Sequence, residues 1–136
     1  METTITYRKG VQFEIEARGH RIICDQPVEN HGDDGGMSPP ELLLGALGSC
    51  AAYYAAAYLG ARNLAAEDLR VHVRGEKALR PARMSSFSID IDLPEQAAAD
   101  PRHREGILRA VKNCLIHNTL LSAPAIEVNL HAAVTI

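Results

Sequence analysis

Apolar and polar residues alternate over the first 25 positions of the chain. Val11, Phe13 and Ile15 interleave with Gln12, Glu14 and Glu16, the period-two pattern of a strand with one face turned to a core. Turn signals at Lys9–Gly10 and Gly19 divide the stretch into strands at about 3–8, 11–18 and 20–26. A loop, "PVENHGDDGG", follows, and then the period changes. Ser38 is a good helix N-cap, Pro39 suits the first helical position, and Glu41 completes a capping box. This first helix is expected to reach Tyr58 or Leu59 and stop near Gly60. Strand patterns return at about 69–78 and 85–93, where Pro94 ends the run. Asp100–Pro101 opens a second helix, with Ile107, Leu108, Val111, Cys114 and Leu115 at helical spacing. A turn at 117–122 and a last strand at about 125–135 complete the order β-β-β-α-β-β-α-β. That order predicts an α+β domain with an antiparallel or mixed sheet, a single unit over residues 1–136.

Folding a chain of this length buries roughly two-thirds of its unfolded surface, enough for a proper core. The formal charge is −3 and the basic residues are scattered, so neither nucleic acid nor an anionic membrane is expected as a partner. The N-terminus lacks the apolar stretch of a signal peptide, and a cytoplasmic, reducing location is expected. Under those conditions Cys24, Cys50 and Cys114 read as free thiols or as one redox pair, not as a disulfide framework.

Residues 42–61, "LLLGALGSCAAYYAAAYLGA", carry no charge. The length suffices for a membrane span. Against that reading, alanine and glycine supply ten of the twenty residues, three tyrosines interrupt them, and strands flank the segment. A helix that is apolar all round is alternatively one buried on all sides, and one small subunit can hardly surround a helix roughly 30 Å long. Gly45, Gly48, Ala52 and Ala55 form a stripe of small side chains that admits another backbone. A helix shared with a second subunit is therefore expected.

A cysteine inside such a helix is ordinarily a small hydrophobe. If the two helices pack together, however, Cys50 and Cys114 meet, and a redox pair becomes possible. Cys24, in "RIICDQP", has no comparable partner and reads as packing.

The segment "SPPELLLGALGSCAAYY", followed by "KNCLIHNTLLSAP", resembles the OsmC/Ohr family of thiol-dependent hydroperoxide reductases, and the resemblance covers nearly the whole chain. It implies an intertwined homodimer with two central helices flanked by sheets. It also implies a peroxidatic Cys50 and a resolving Cys114, an organic hydroperoxide as substrate and an external dithiol as reductant. In the family an Arg from the N-terminal strands, paired with a Glu at the start of the first helix, activates the peroxidatic thiol. Here the Arg is Arg18 or Arg21, but the Glu position is occupied by Pro40. Glu41 lies on the opposite face from Cys50, roughly 13 Å along the helix, and is read as a capping residue. Weaker activation of Cys50 is therefore expected.

The second motif also departs from the family, which has Cys-Pro where this chain has Cys114–Leu115. His117, one turn on, either lowers the Cys114 pKa or bonds the local backbone. Leu47, Tyr53 and Tyr54 are expected to line an apolar substrate pocket. The remaining histidines show no ligand spacing, so no metal and no cofactor is expected. The competing function is a non-enzymatic OsmC-like protein that binds a small apolar or thiol-reactive ligand at the dimer interface.

Overall fold

The computed structural model describes residues 1–133. Strands β1 (Thr4–Lys9), β2 (Gln12–Ala17) and β3 (His20–Cys24) form an antiparallel meander in the order β1-β2-β3. Its register sets Ile5 opposite Ile15, Tyr7 opposite Phe13 and Ile15 opposite Ile22, which gathers the apolar residues on one face. Among the described residues much of that face is open: Ile5 is 55 % exposed, Tyr7 62 % and Ile22 46 %. Neither the helices nor the second sheet packs extensively against it among the described residues. The expected alternation is present, but among the described residues most of its apolar face is left open.

Helix α1 spans Pro39–Gly60, with Ser38 as N-cap. The Glu41 carboxylate accepts from the Ser38 backbone N–H at 2.7 Å and from its hydroxyl at 2.9 Å, which confirms the capping role. Strands β4 (Arg70–Leu79) and β5 (Ala82–Asp92) form a separate antiparallel hairpin. Val71 pairs with Ile91 and Val73 with Ile89, and this apolar face packs on α1. Gly48 permits the approach, since a Cβ there would lie 2.8 Å from a Val73 methyl.

Three short helices follow: α2 (Glu95–Ala99), α3 (Pro101–Val111) and α4 (Leu115–Leu121). The core gathers Ala51, Ala55 and Leu59 of α1 with Ala97 of α2 and Ile107 and Val111 of α3. Although α1 is long and apolar enough to cross a bilayer, it lies along the β4–β5 hairpin and α3, and 28 % of its most apolar stretch is buried.

Two expectations require correction. The second helix does not run through Cys114: α3 ends at Val111, and Cys114 is the N-cap of α4. Leu108 and Leu115, which share the apolar helical spacing, are 59 % and 62 % exposed. The last strand does not form over 125–133 either; 134–136 lie outside the described residues. The sequence stays strand-like there, with Ile126, Val128 and Leu130 alternating and 85 %, 80 % and 94 % exposed.

Candidate active site

The break between α3 and α4 builds the site. Val111 terminates α3, and the chain turns through Lys112 and Asn113 so that Cys114 caps the next helix. The Cys114 sulfur accepts from the His117 backbone N–H at 3.3 Å, the N-cap bond usually made by Ser or Asp. Cys114 is fully buried, and α4 packs against α1. The packing brings Cys114 to Cys50, on the middle of α1. Both are free thiols, as is the buried Cys24 at the end of β3.

The two thiols differ in acidity. Burial alone pushes the Cys50 thiol up, but the Cys114 thiol and the backbone N–H groups of Ile116 and Leu115 outweigh it, and Cys50 titrates below the ordinary thiol value. For Cys114, burial and the neighbouring Cys50 raise the pKa against the opposing His117 N–H. Of the two, Cys50 gives up its proton more readily and Cys114 holds its proton more tightly. Cys24 is raised by burial and by the adjacent Asp25, as expected for a packing residue.

The groups that lower the Cys50 pKa within this chain are the Cys114 thiol and the first backbone N–H groups of α4. Arg18 stands in the β2–β3 turn with φ 53° and is exposed. Arg21 bonds Glu16 at 3.0 Å and lies 3.9 Å from Glu14. Among the described residues, the sheet that carries both arginines does not pack extensively against α1. Within one chain, the backbone N–H groups of Ile116 and Leu115 lower the Cys50 pKa, the direction in which the resemblance implies a cation acts. The sequence signal was Leu115 itself, because a proline there has no N–H to donate. His117 reaches Cys114 through its backbone and lines a cavity with its side chain.

That cavity, about 370 Å³, lies between α1, β5 and α4. Leu47 lines it, together with Phe87, Ile89 and Leu120. Leu47 is one helical turn from Cys50, and His117 is one turn from Cys114. Tyr53 and Tyr54 are not part of its lining; they contact each other edge to face at 5.3 Å, and Tyr53 is 68 % exposed. Among the described residues, no group of three or more His, Cys, Asp and Glu side chains gathers to hold a metal ion.

Comparisons with known proteins agree with this architecture. The sequence pattern of the OsmC-like protein family matches residues 32–129. The provisionally described osmotic stress induced and detoxification response protein of Psychrobacter arcticus 273-4 superimposes with a TM-score of 0.78 at 21 % identity, over 86 % of this chain and 85 % of that one. An OsmC like protein from Mycoplasma pneumoniae gives 0.74 at 19 % identity, over 90 % and 87 %. An organic hydroperoxide resistance protein OsmC from Legionella pneumophila gives 0.58 at 15 % identity, over 90 % of each chain. At such identities these likenesses speak for the fold. Among curated proteins, none matches this chain. With the family pattern spanning the helix of Cys50, the break at Cys114 and the hairpin between them, the chain belongs to the OsmC-like protein family.

Proposed function

We propose that this protein is a thiol peroxidase that reduces organic hydroperoxides, acting as a homodimer in a reducing, cytoplasmic compartment. The observation that carries the reading is the meeting of two free thiols, the buried Cys114 at the start of α4 and Cys50 on the α1 it packs against, and their opposed shifts in acidity agree with it. Membership of a family that includes organic hydroperoxide resistance proteins supports it.

The Cys50 thiolate attacks the terminal oxygen of R–O–O–H. An S–O bond forms, the O–O bond breaks, and the leaving alkoxide takes up a proton to become the alcohol. Sulfur loses two electrons and Cys50 becomes a sulfenic acid. The oxidation also changes Cys114. The neighbouring Cys50 is one of the causes that raise its pKa. Once Cys50 is uncharged, that cause disappears and Cys114 gives up its proton more readily. Its sulfur then attacks the Cys50 sulfur, a disulfide forms, and the oxygen leaves as water. An external dithiol returns both thiols by exchange.

The test is consumption of cumene hydroperoxide with a dithiol as reductant. Cys50→Ser is expected to abolish turnover, and Cys114→Ser to stop it with a sulfenic acid trapped on Cys50. Cys24→Ser is expected to leave the rate unchanged. After peroxide treatment, peptide mapping is expected to find Cys50 joined to Cys114. A disulfide to Cys24 contradicts the assignment. No consumption at all favours the ligand-binding alternative, for which Pro40 at the family's Glu position is the motivating observation.

A further inference from the structure

The end of the β4–β5 hairpin is basic. Lys77, Arg80 and Arg83 stand there, and among the described residues none of the three has a carboxylate within salt-bridge distance. Glu41 feels Lys77 but is held by Ser38. Beneath these cations the surface is apolar. A groove of about 420 Å³ between the first turn of α1 and the hairpin end is lined by Pro39, Pro40, Leu43 and Leu79, with Lys77 and Arg83 among them. The cavity beside the thiols adjoins it, and Arg83 and Met84 line both.

Two local features set this arrangement. On α1, Leu43, Leu47 and Cys50 follow at spacings of four and three and so form one stripe, about 10 Å from Leu43 to Cys50. On the hairpin the register shifts: Glu76 pairs with Ser86 but Lys77 with Met84, which leaves Ser85 as the extra residue of a bulge. The Ser85 hydroxyl donates to the Glu76 carbonyl at 3.1 Å. A bulge bends and twists its strand and re-aims the side chains beyond it, here Met84 and Arg83.

We propose that Arg83, with Lys77 beside it, recognises an anionic head group, and that the ligand is an amphipathic carboxylate whose apolar chain lies along Leu43 and Leu47 toward Cys50. The proposal rests on the peroxidase reading for the reacting group, a hydroperoxide carried on that chain. A guanidinium suits the head-group role. It is weakly hydrated, tolerates apolar neighbours, and matches a carboxylate with two parallel N–H donors. Together the groove and cavity have the size and apolar lining of a small-molecule site with a few placed polar groups.

The experiment compares kcat/KM for linoleic acid hydroperoxide and for its methyl ester, which differ in charge at the head alone. The wild type is expected to prefer the acid roughly tenfold, the scale of one charge-assisted hydrogen bond. In Arg83→Gln the acid-to-ester ratio is expected to fall to near one, with a smaller fall in Lys77→Gln, whereas Arg83→Lys keeps part of the preference. The ratio is internal to each variant, so a partly folded sample does not distort it. A wild-type ratio near one, or a full preference surviving in both glutamine variants, overturns the proposal while peroxidase activity stands. Should neither these hydroperoxides nor cumene hydroperoxide be consumed, the peroxidase reading fails, and binding decides. Decanoate, but not methyl decanoate, is expected to protect Cys50 from alkylation in the wild type and not in Arg83→Gln. Absence of that protection overturns the proposal.

Discussion

Leu115 exposes 62 % of its surface, yet its backbone N–H is one of the two that stabilise the Cys50 thiolate. The position therefore separates backbone from side chain cleanly. Cys114 has φ −56° and ψ 126°, a conformation suited to the residue before a proline. Leu115 is the first residue of α4, where proline is well tolerated. Leu115→Pro is thus expected to fold and to lose one donor to the thiolate. Alkylation of Cys50 at pH 7, with Cys24 and Cys114 replaced by Ser in both proteins compared, is expected to slow roughly tenfold, in keeping with one hydrogen bond to a charged group. Leu115→Ala keeps the N–H and is expected to match its parent; an equal loss in both variants refutes the assignment. The pair Cys50 and Cys114 was legible in the sequence, because thiols at those two places carry a recognisable pattern. Its activation was not, because a side-chain alphabet does not say where a backbone N–H points.

The loop from Asp25 to Met37, which leads into α1, is organised by one carboxylate. Asp25 is 1 % exposed and accepts from the backbone N–H groups of Gly35 at 3.0 Å, Gln26 at 2.8 Å and Asp33 at 3.3 Å, and from Gln12 at 3.2 Å. Gly36 lets the loop close, since a Cβ there would fall 2.1 Å from the Ile23 carbonyl oxygen. Those bonds, led by the one from Gly35, hold the Asp25 carboxyl below its ordinary value of 3.8. A folded pKa below the unfolded one stabilises the protein above the unfolded value, and the contribution is lost as pH falls through the folded value. Asp25→Asn is therefore expected to melt lower than the wild type at pH 6, with the gap closing as pH drops below 3.8. A gap independent of pH contradicts the ionised clamp. Across the molecule, Gly106 of α3 lies against the Tyr58 ring, whose hydroxyl is 3.2 Å from His103 Nδ1. Gly106→Ala sets a methyl against that ring and is expected to cost about 1–3 kcal/mol in denaturant unfolding, as overpacking does. Strands β1 to β5 and α1 were legible from period and capping alone. The break at 112–114 was not, because the apolar spacing continues through it and the cap that interrupts it is an unusual one, a cysteine.

At the scale of the molecule, the apolar surface exceeds what one chain can cover. The faces left open are the sheet face with Ile5, Tyr7 and Ile22, the α1 side with Tyr53, and the alternating segment with Ile126, Val128 and Leu130. Patches of this kind mark interaction surfaces, and each lies on a different element, so a small ligand does not cover them. The uncharged stretch 42–61 poses the same question from the sequence alone, since its length and composition ask for more neighbours than one subunit supplies. A second copy answers for all three at once, by covering the sheet face, packing on α1 and offering an edge to the strand-like segment. We therefore expect a dimer in solution, with light scattering near twice the 14.8 kDa chain mass. Because folding and association are then coupled, the melting temperature is expected to rise with protein concentration. Ile22→Asp places a charge on the open sheet face, where it costs nothing if the face is solvated and much if it is covered. In a dimer the variant is expected to shift toward monomer and to melt lower, with the wild-type advantage largest at high concentration. A wild type that scatters as a single chain, melts at one temperature across a hundredfold dilution and tolerates Ile22→Asp would show that the open faces belong to some other partner.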